Sequence, residues 1–165
     1  MTDNSYDAFL KIDGIQGESS DDRHANEIEL LAYHHGLSHP VGSDASSMGS
    51  HSAGRCHHQE FTVTKGLDLA SPNLSLYCST GKHIPEVVLS VHRAGGDKVK
   101  YYEVVMSDVL ITRINPYASP GHAIPQEDVS FTYGKIVWKY TKTSMTGQAQ
   151  GDVTAGYDLV KNKAV

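Results

Sequence analysis

The chain has 165 residues, 39% hydrophobic and 20% charged, with 14 basic against 19 acidic side chains and a net charge of −5. That balance suits one globular domain, 1–165, rather than a disordered chain, and a chain of this length can bury about 70% of the surface its unfolded form exposes. No basic cluster offers phosphates a cationic face, and no apolar run approaches the ~20 residues of a membrane-spanning helix, so nucleic-acid binding and membrane insertion are both disfavoured.

The opening, MTDNSYDAFLKIDG, lacks a basic stretch followed by an apolar one. An ordinary signal peptide is therefore not expected, and export would need a route that does not read one. Tyr6 to Ile12 reads as a strand closed by the turn signal Asp13-Gly14. Glu27 to Ser38 alternates next, with Leu31, Tyr33, His35 and Leu37 on the face expected to fill the core. Ala32, His34 and Gly36 share the opposite face, expected to meet water or a partner. Pro40 to Gly54, PVGSDASSMGSHSAG, holds almost nothing large and apolar and reads as a long loop. Arg55 to Leu67 alternates again, with Phe61 and Val63 on one face.

Ser71-Pro72 resembles an N-cap followed by proline at the first helical position. Leu74, Tyr77 and Cys78 then fall at helical spacing, and Gly81 is placed to cap the C-terminus. A short helix over about 72–80 follows. Ile84 to Ala94 places Val87, Leu89 and Val91 on one side, Gly95-Gly96-Asp97 makes a turn, and Val99 to Ile114 returns as the partner strand. Val129 to Tyr140 is a further strand, with Trp138 on its apolar side, and a last short one spans Asp152 to Leu159. Many strands and one helix make a mainly β domain, either a sandwich or a barrel.

Catalytic chemistry is hard to find. Neighbouring residues on a strand point to opposite faces, so neither His34-His35 nor His57-His58 can chelate one ion. There is no HExxH, no CxxC and no G-x-S-x-G. Asp21-Asp22 and Glu127-Asp128 read as solvated charges, and the two cysteines, Cys56 and Cys78, as reduced thiols, with Cys78 buried. No catalytic residue, metal or cofactor is assigned. Two other readings stay open on the residues alone. One is a monomeric β-sandwich that stacks a carbohydrate or other small ligand on its nine tyrosines or Trp138. The other is a small metallo-hydrolase built on its ten histidines.

Five segments, DAFLKIDGIQGES (7–19), HANEIELLAYHHGLS (24–38), 68–104 with its SPNL, CSTGKH and RAGG, VSFTYGKIVWKY (129–140) and GYDLVKN (156–162), resemble the Hcp family in family order. Hcp, the haemolysin co-regulated protein, is the tube subunit of the bacterial type VI secretion system. The resemblance implies two antiparallel sheets closed into a β-barrel with one short flanking helix. It also implies a homohexameric ring that stacks head to tail into a tube, with a contractile sheath around it, a spike protein at its tip and secreted effector proteins in its lumen. Such a subunit assembles in the cytoplasm and leaves without a cleaved signal peptide. It implies a ring-stacking role for the 40–54 loop, with Ser43, Asp44, Ser46, Met48 and His51 as candidates. Ala32, His34 and Gly36 become candidates to face the lumen and its cargo. The chain ends at Val165, and a plain tube subunit without an appended toxin domain is expected.

Overall fold

The computed structural model describes residues 6–40, 54–95 and 98–165. Strand β1 (Tyr6–Ile12) has the bounds expected from its alternation. The Glu27–Ser38 stretch is not one strand. It breaks into β2 (Ile28–Leu30), β3 (Ala32–His34) and β4 (Leu37–Ser38). After the loop come β5 (His57–His58), β6 (Phe61–Gly66) and helix α1 (Ser71–Thr80). Strands β7 (Ile84–Arg93), β8 (Lys100–Tyr117), β9 (Gln126–Thr143), β10 (Ala149–Asp158) and β11 (Lys163–Ala164) complete the chain.

The main sheet runs β11-β10-β9-β8-β7-β1-β2, with β6 joining β9 and β3 joining β6 as a branch. It is not closed, so the expected barrel is replaced by a β-sandwich. The long hairpin of β8 and β9 explains why. Residues Gln126 to Phe131 of β9 pair with β6, whereas Lys135 to Thr143 pair with β10. One edge of β9 therefore serves two strands, and the sheet forks. At the far side β2 pairs with β1 and β3 pairs with β6, with Leu31 between the two ladders.

The same hairpin turns over between the layers. Val104 and Met106 are buried on β8, then Val109 and Ile111, so the inward set changes parity at Asp108, which has φ 52°. Opposite it, β9 changes from Ile136 to Tyr133 and Phe131. Gly134 lies at that level, and a Cβ there would sit 3.1 Å from Asp108 Oδ2 and 3.3 Å from Val160. Side chains approach from both sides, so a Cβ at this position would require Asp108 and Val160 to give by a few tenths of an ångström.

The core fills from both layers. Ile28 and Leu30 of β2, Phe61 and Val63 of β6, Val87, Leu89 and Val91 of β7, and Leu74 of α1 are all buried. Each such side chain contributes about 1.5–3 kcal/mol by leaving water. The expected inward face of residues 31–37 is only partly realised. Leu31 and Leu37 are 43% and 49% exposed, while Tyr33 and His35 are half-buried. The reason is the change of neighbour at Leu31: Leu30 has already taken the inward place.

Helix α1 also differs in detail. Its N-cap is Ala70, not Ser71, and the cap side chain makes no hydrogen bond. Ser71 Oγ instead accepts the Asp68 N–H at 3.0 Å and donates to Glu127 at 2.6 Å. Gly81 closes the helix in the left-handed region, at φ 66°, with its N–H on the Tyr77 carbonyl. Tyr77 and Cys78 pack against the core without being fully buried, and both cysteines are free.

Glu127 corrects another expectation. It is 1% exposed, not solvated. Its cross-strand partner is Lys65, itself fully buried, and the two form an ion pair. Lys65 Nζ also meets Asp68 at 2.8 Å and donates to Ser71 Oγ at 3.2 Å. The cluster ties the start of α1 to β6 and β9, and each buried charge has an opposite charge and a hydrogen bond.

Candidate assembly and cargo surface

Strand β3 lies beside β6 with Ala32 opposite Thr64 and His34 opposite Thr62. Ala32 and His34 are exposed. Thr62 bonds Ser130 at 2.9 Å and Thr64 donates to Asp128 at 2.7 Å, so the stripe continues as a row of small polar groups onto β9. Such a face presents hydrogen-bonding groups without apolar anchors. Gly36 follows the end of β3 and lies against Gln59, whose backbone N–H donates to the Gly36 carbonyl at 2.9 Å. A Cβ on Gly36 would stand 2.5 Å from Gln59 Oε1.

Ser43, Asp44, Ser46, Met48 and His51 lie outside the described residues. The stem of their loop is described. Strands β4 and β5 pair Leu37 with His58 and Ser38 with His57, and the Gly54 N–H reaches the Pro40 carbonyl at 3.4 Å. Two histidines, one from each side of the stem, converge on one phenol. His35 Nε2 is 2.6 Å and His58 Nδ1 3.0 Å from Tyr133 Oη. The phenol O–H can donate to one ring and accept from the other, so two neutral imidazoles satisfy it. His35 also stacks on Phe61, and His58 on Trp138 and Tyr157.

Burial shapes the titration of this trio. It pushes His35 down, helped by His58 and His34, and it pushes His58 down, helped by His57. It pushes the Tyr133 phenol well above its ordinary value. The adjacent residues His34 and His57 are exposed. Sequence reasoning named the two histidine pairs but not Tyr133. Its place in phase with Val129 and Phe131 was the available signal. Among the described residues, no three His, Cys, Asp or Glu side chains are grouped to hold a metal ion.

The surface also carries apolar groups that a lone chain leaves in water. Leu69, Leu76 and Ile124 are each more than half exposed, and Val153 on β10 is 72% exposed. Val153 sits opposite the exposed Tyr140, whose ring meets Tyr101 edge-on. Beside them, β11 pairs only with Tyr157 and Asp158 of β10. The remaining outer edge of β10 has no partner strand among the described residues.

Residues 9–140 match the family model described as "Type VI secretion system effector, Hcp". The chain is 33% identical over 160 residues to the protein called hcp1 of Pseudomonas aeruginosa, which covers 96% of this chain and 98% of that protein. It is 31% identical over 120 residues to the "Major exported protein" of the same organism, covering 68% of this chain and 70% of that one. Its fold superposes on a solved type six secretion system protein with a TM-score of 0.92 at 28% identity, covering 97% of this chain and 99% of the other.

Proposed function

The chain belongs to the Hcp family of the type VI secretion system, and from that premise we propose how its surfaces serve a tube subunit. Its role is structural. Copies associate into a hexameric ring, and rings stack into a tube exported by the secretion machine. The observation that carries this reading is the family pattern over residues 9–140, on a sandwich that superposes along nearly the whole chain with a type six secretion system protein. The exposed apolar groups on β9 and β10 and the open edge of β10 support it, because contiguous apolar surface and unpaired strand edges mark places where a partner sits.

In this reading the polar stripe of Ala32 and His34 faces the lumen and contacts effector proteins during transit. Small polar groups suit passing cargo better than apolar anchors, which would hold it. The loop 40–54 contributes to ring stacking. A sheath surrounds the tube, a spike protein caps it, and the chain performs no chemistry of its own. Assembly takes place in the cytoplasm, and the tube leaves through the type VI machine.

Size-exclusion chromatography with light scattering tests the ring. The expected mass is six times 17.9 kDa, about 107 kDa. A monomer at micromolar concentration would overturn the proposal. For the lumen, His34→Asp is expected to weaken capture of at least one lumen-borne effector while leaving the hexamer mass unchanged. Unchanged capture of every such effector would remove His34 from the cargo surface.

A further inference from the structure

The segment Ser19 to Glu27 carries no strand, yet two of its side chains reach into the sheet. His24 and His92 of β7 are 8% and 3% exposed. The His24 ring stacks on Phe9 with centroids 4.4 Å apart, and His92 meets the same ring edge-on. Their Nε2 atoms are 2.7 Å apart. His24 Nδ1 is 2.7 Å from Glu27 Oε2, and His92 Nδ1 is 2.8 Å from the Lys98 carbonyl oxygen.

The protons in this chain of contacts can be counted. A carbonyl oxygen only accepts, so His92 Nδ1 carries a proton. The neutral His92 ring then has a bare Nε2, which accepts from His24 Nε2–H. His24 Nδ1 is left facing a carboxylate, which also only accepts when ionised. Three hydrogen bonds need three protons, and two neutral imidazoles bring two. A metal ion does not substitute, because two nitrogens on a zinc ion would stand about 3.3 Å apart, not 2.7 Å.

We propose that Glu27, His24 and His92 form a proton-binding site that locks the Ser19–Glu27 segment onto the β7–β8 hairpin. The site holds one proton more than its neutral imidazoles supply, and loss of that proton sets two acceptors against each other and opens the lock. Burial pushes His92 down, and its Nδ1–H is committed to the Lys98 carbonyl, so the third proton lies between His24 Nδ1 and Glu27 Oε2.

The charges around the site are laid out to match. Asp7 of β1 and Lys100 of β8 lie opposite His92 in the ladders. Arg23 Nη1 donates to the same Lys98 carbonyl at 2.9 Å, and Lys98 Nζ donates to Asp21 at 2.7 Å. Lys98 and the Arg23 backbone pull the Asp21 carboxyl down to about 2. Asp21 therefore stays ionised from pH 5 to 9, and a step seen in that window does not come from it. Lys98 is thus the anchor: its carbonyl takes His92 and Arg23, and its ammonium takes Asp21.

The test follows the ring nitrogens by NMR in the full chain labelled at histidine, between pH 5 and 9. At pH 6 the His24 ring is expected to carry protons on both nitrogens and the His92 ring on Nδ1 alone. Raising the pH should remove one proton in a step felt by both rings. Through that step, hydrogen exchange at the Asn26 and Glu27 amides, corrected for its intrinsic pH dependence, should accelerate by roughly tenfold or more, as expected for loss of a hydrogen bond to a charged group. These amides donate to the Ser19 and His24 carbonyls, so they report the segment directly. In Glu27→Gln the side-chain amide can donate to His24 Nδ1, the third proton is no longer needed, and the step should vanish. The proposal falls if both rings carry a single proton at pH 6, if exchange stays flat through the step, or if the step survives in Glu27→Gln. Should that variant not fold, the wild-type ring spectra decide alone.

Discussion

Replacing Lys65 by methionine keeps an unbranched apolar stem of similar length and removes the ammonium that Glu127, Asp68 and Ser71 surround. Glu127, 1% exposed, is then left with the Ser71 hydroxyl as its one remaining partner in the cluster. A buried charge stripped of its counter-ion costs about 3–5 kcal/mol. Against a total stability of about 5–15 kcal/mol that is a large share, and at about 2–4 °C per kcal/mol for a domain of this size it lowers the melting temperature by roughly 6–20 °C. Glu127→Gln should cost less, about 1–3 kcal/mol, because Lys65 keeps the Asp68 carboxylate at 2.8 Å. The double change Lys65→Met with Glu127→Leu removes both charges and should lie closer to wild type than Lys65→Met alone. Urea unfolding at pH 7 and one fixed protein concentration measures all three, since subunit association adds a concentration-dependent term. With Glu127→Leu measured alone as the second single variant, a double variant whose cost equals the sum of the Lys65→Met and Glu127→Leu costs would show the two side chains to be uncoupled and would refute the reasoning.

His35 and His58 have pKa values lowered by burial, whereas an unfolded histidine titrates near ~6.5. A lowered folded pKa means that their contribution is complete above about pH 6.5 and is lost as the pH falls below it toward the folded values. The urea midpoint should therefore drop between pH 7.5 and 5, and the drop should shrink in His35→Gln with His58→Gln; an equal drop in that variant would contradict the assignment. Gly36→Ala places a Cβ 2.5 Å from Gln59 Oε1, the mobile end of a flexible side chain that can swing aside, and should cost less than about 1 kcal/mol. That cost should disappear in a Gln59→Ala background. Six chains at −5 each give −30 per ring, so added salt should lengthen ring stacks as the Debye length falls to ~8 Å at 0.15 M. Light scattering that shows shorter stacks with salt would refute this.

Alternation made much of the fold legible. It placed β1 at its observed bounds and put Val87, Leu89 and Val91 in the core. Helical spacing, with the Ser-Pro and Gly81 signals, located α1. The failures came where residue type was trusted over phase, or where pairing is non-local. Lys65 follows Phe61 and Val63 at two-residue spacing, and Glu127 precedes Val129 and Phe131 in the same way. Phase alone points both inward, while the charge of Glu127 argued for solvent; that the two stand opposite each other follows from the pairing of β6 with β9. The neighbour change at Leu31 had no local signal, because Leu30 and Leu31 suit either face. His24 lies in no periodic segment, so nothing in the sequence brought it to His92, 68 residues away.

The difference between a barrel and a sandwich bears on function. A closed barrel has no strand edges, whereas an open sheet leaves backbone N–H and C=O groups unpaired along its outer strands. Among the described residues, most of β10 is such a strand, with Val153 and Tyr140 exposed on it and its neighbour. Monomeric proteins blunt an edge like this with proline, inward charges or a bulge. Here the register does slip between Ala149 and Asp152, near Gly151, but the following run, Val153-Thr154-Ala155, carries neither charge nor proline. A surface of that kind is costly on a chain that works alone and is covered when copies assemble. The fork at β9, which keeps the sheet from closing, therefore leaves an edge and an apolar patch that a ring subunit can use.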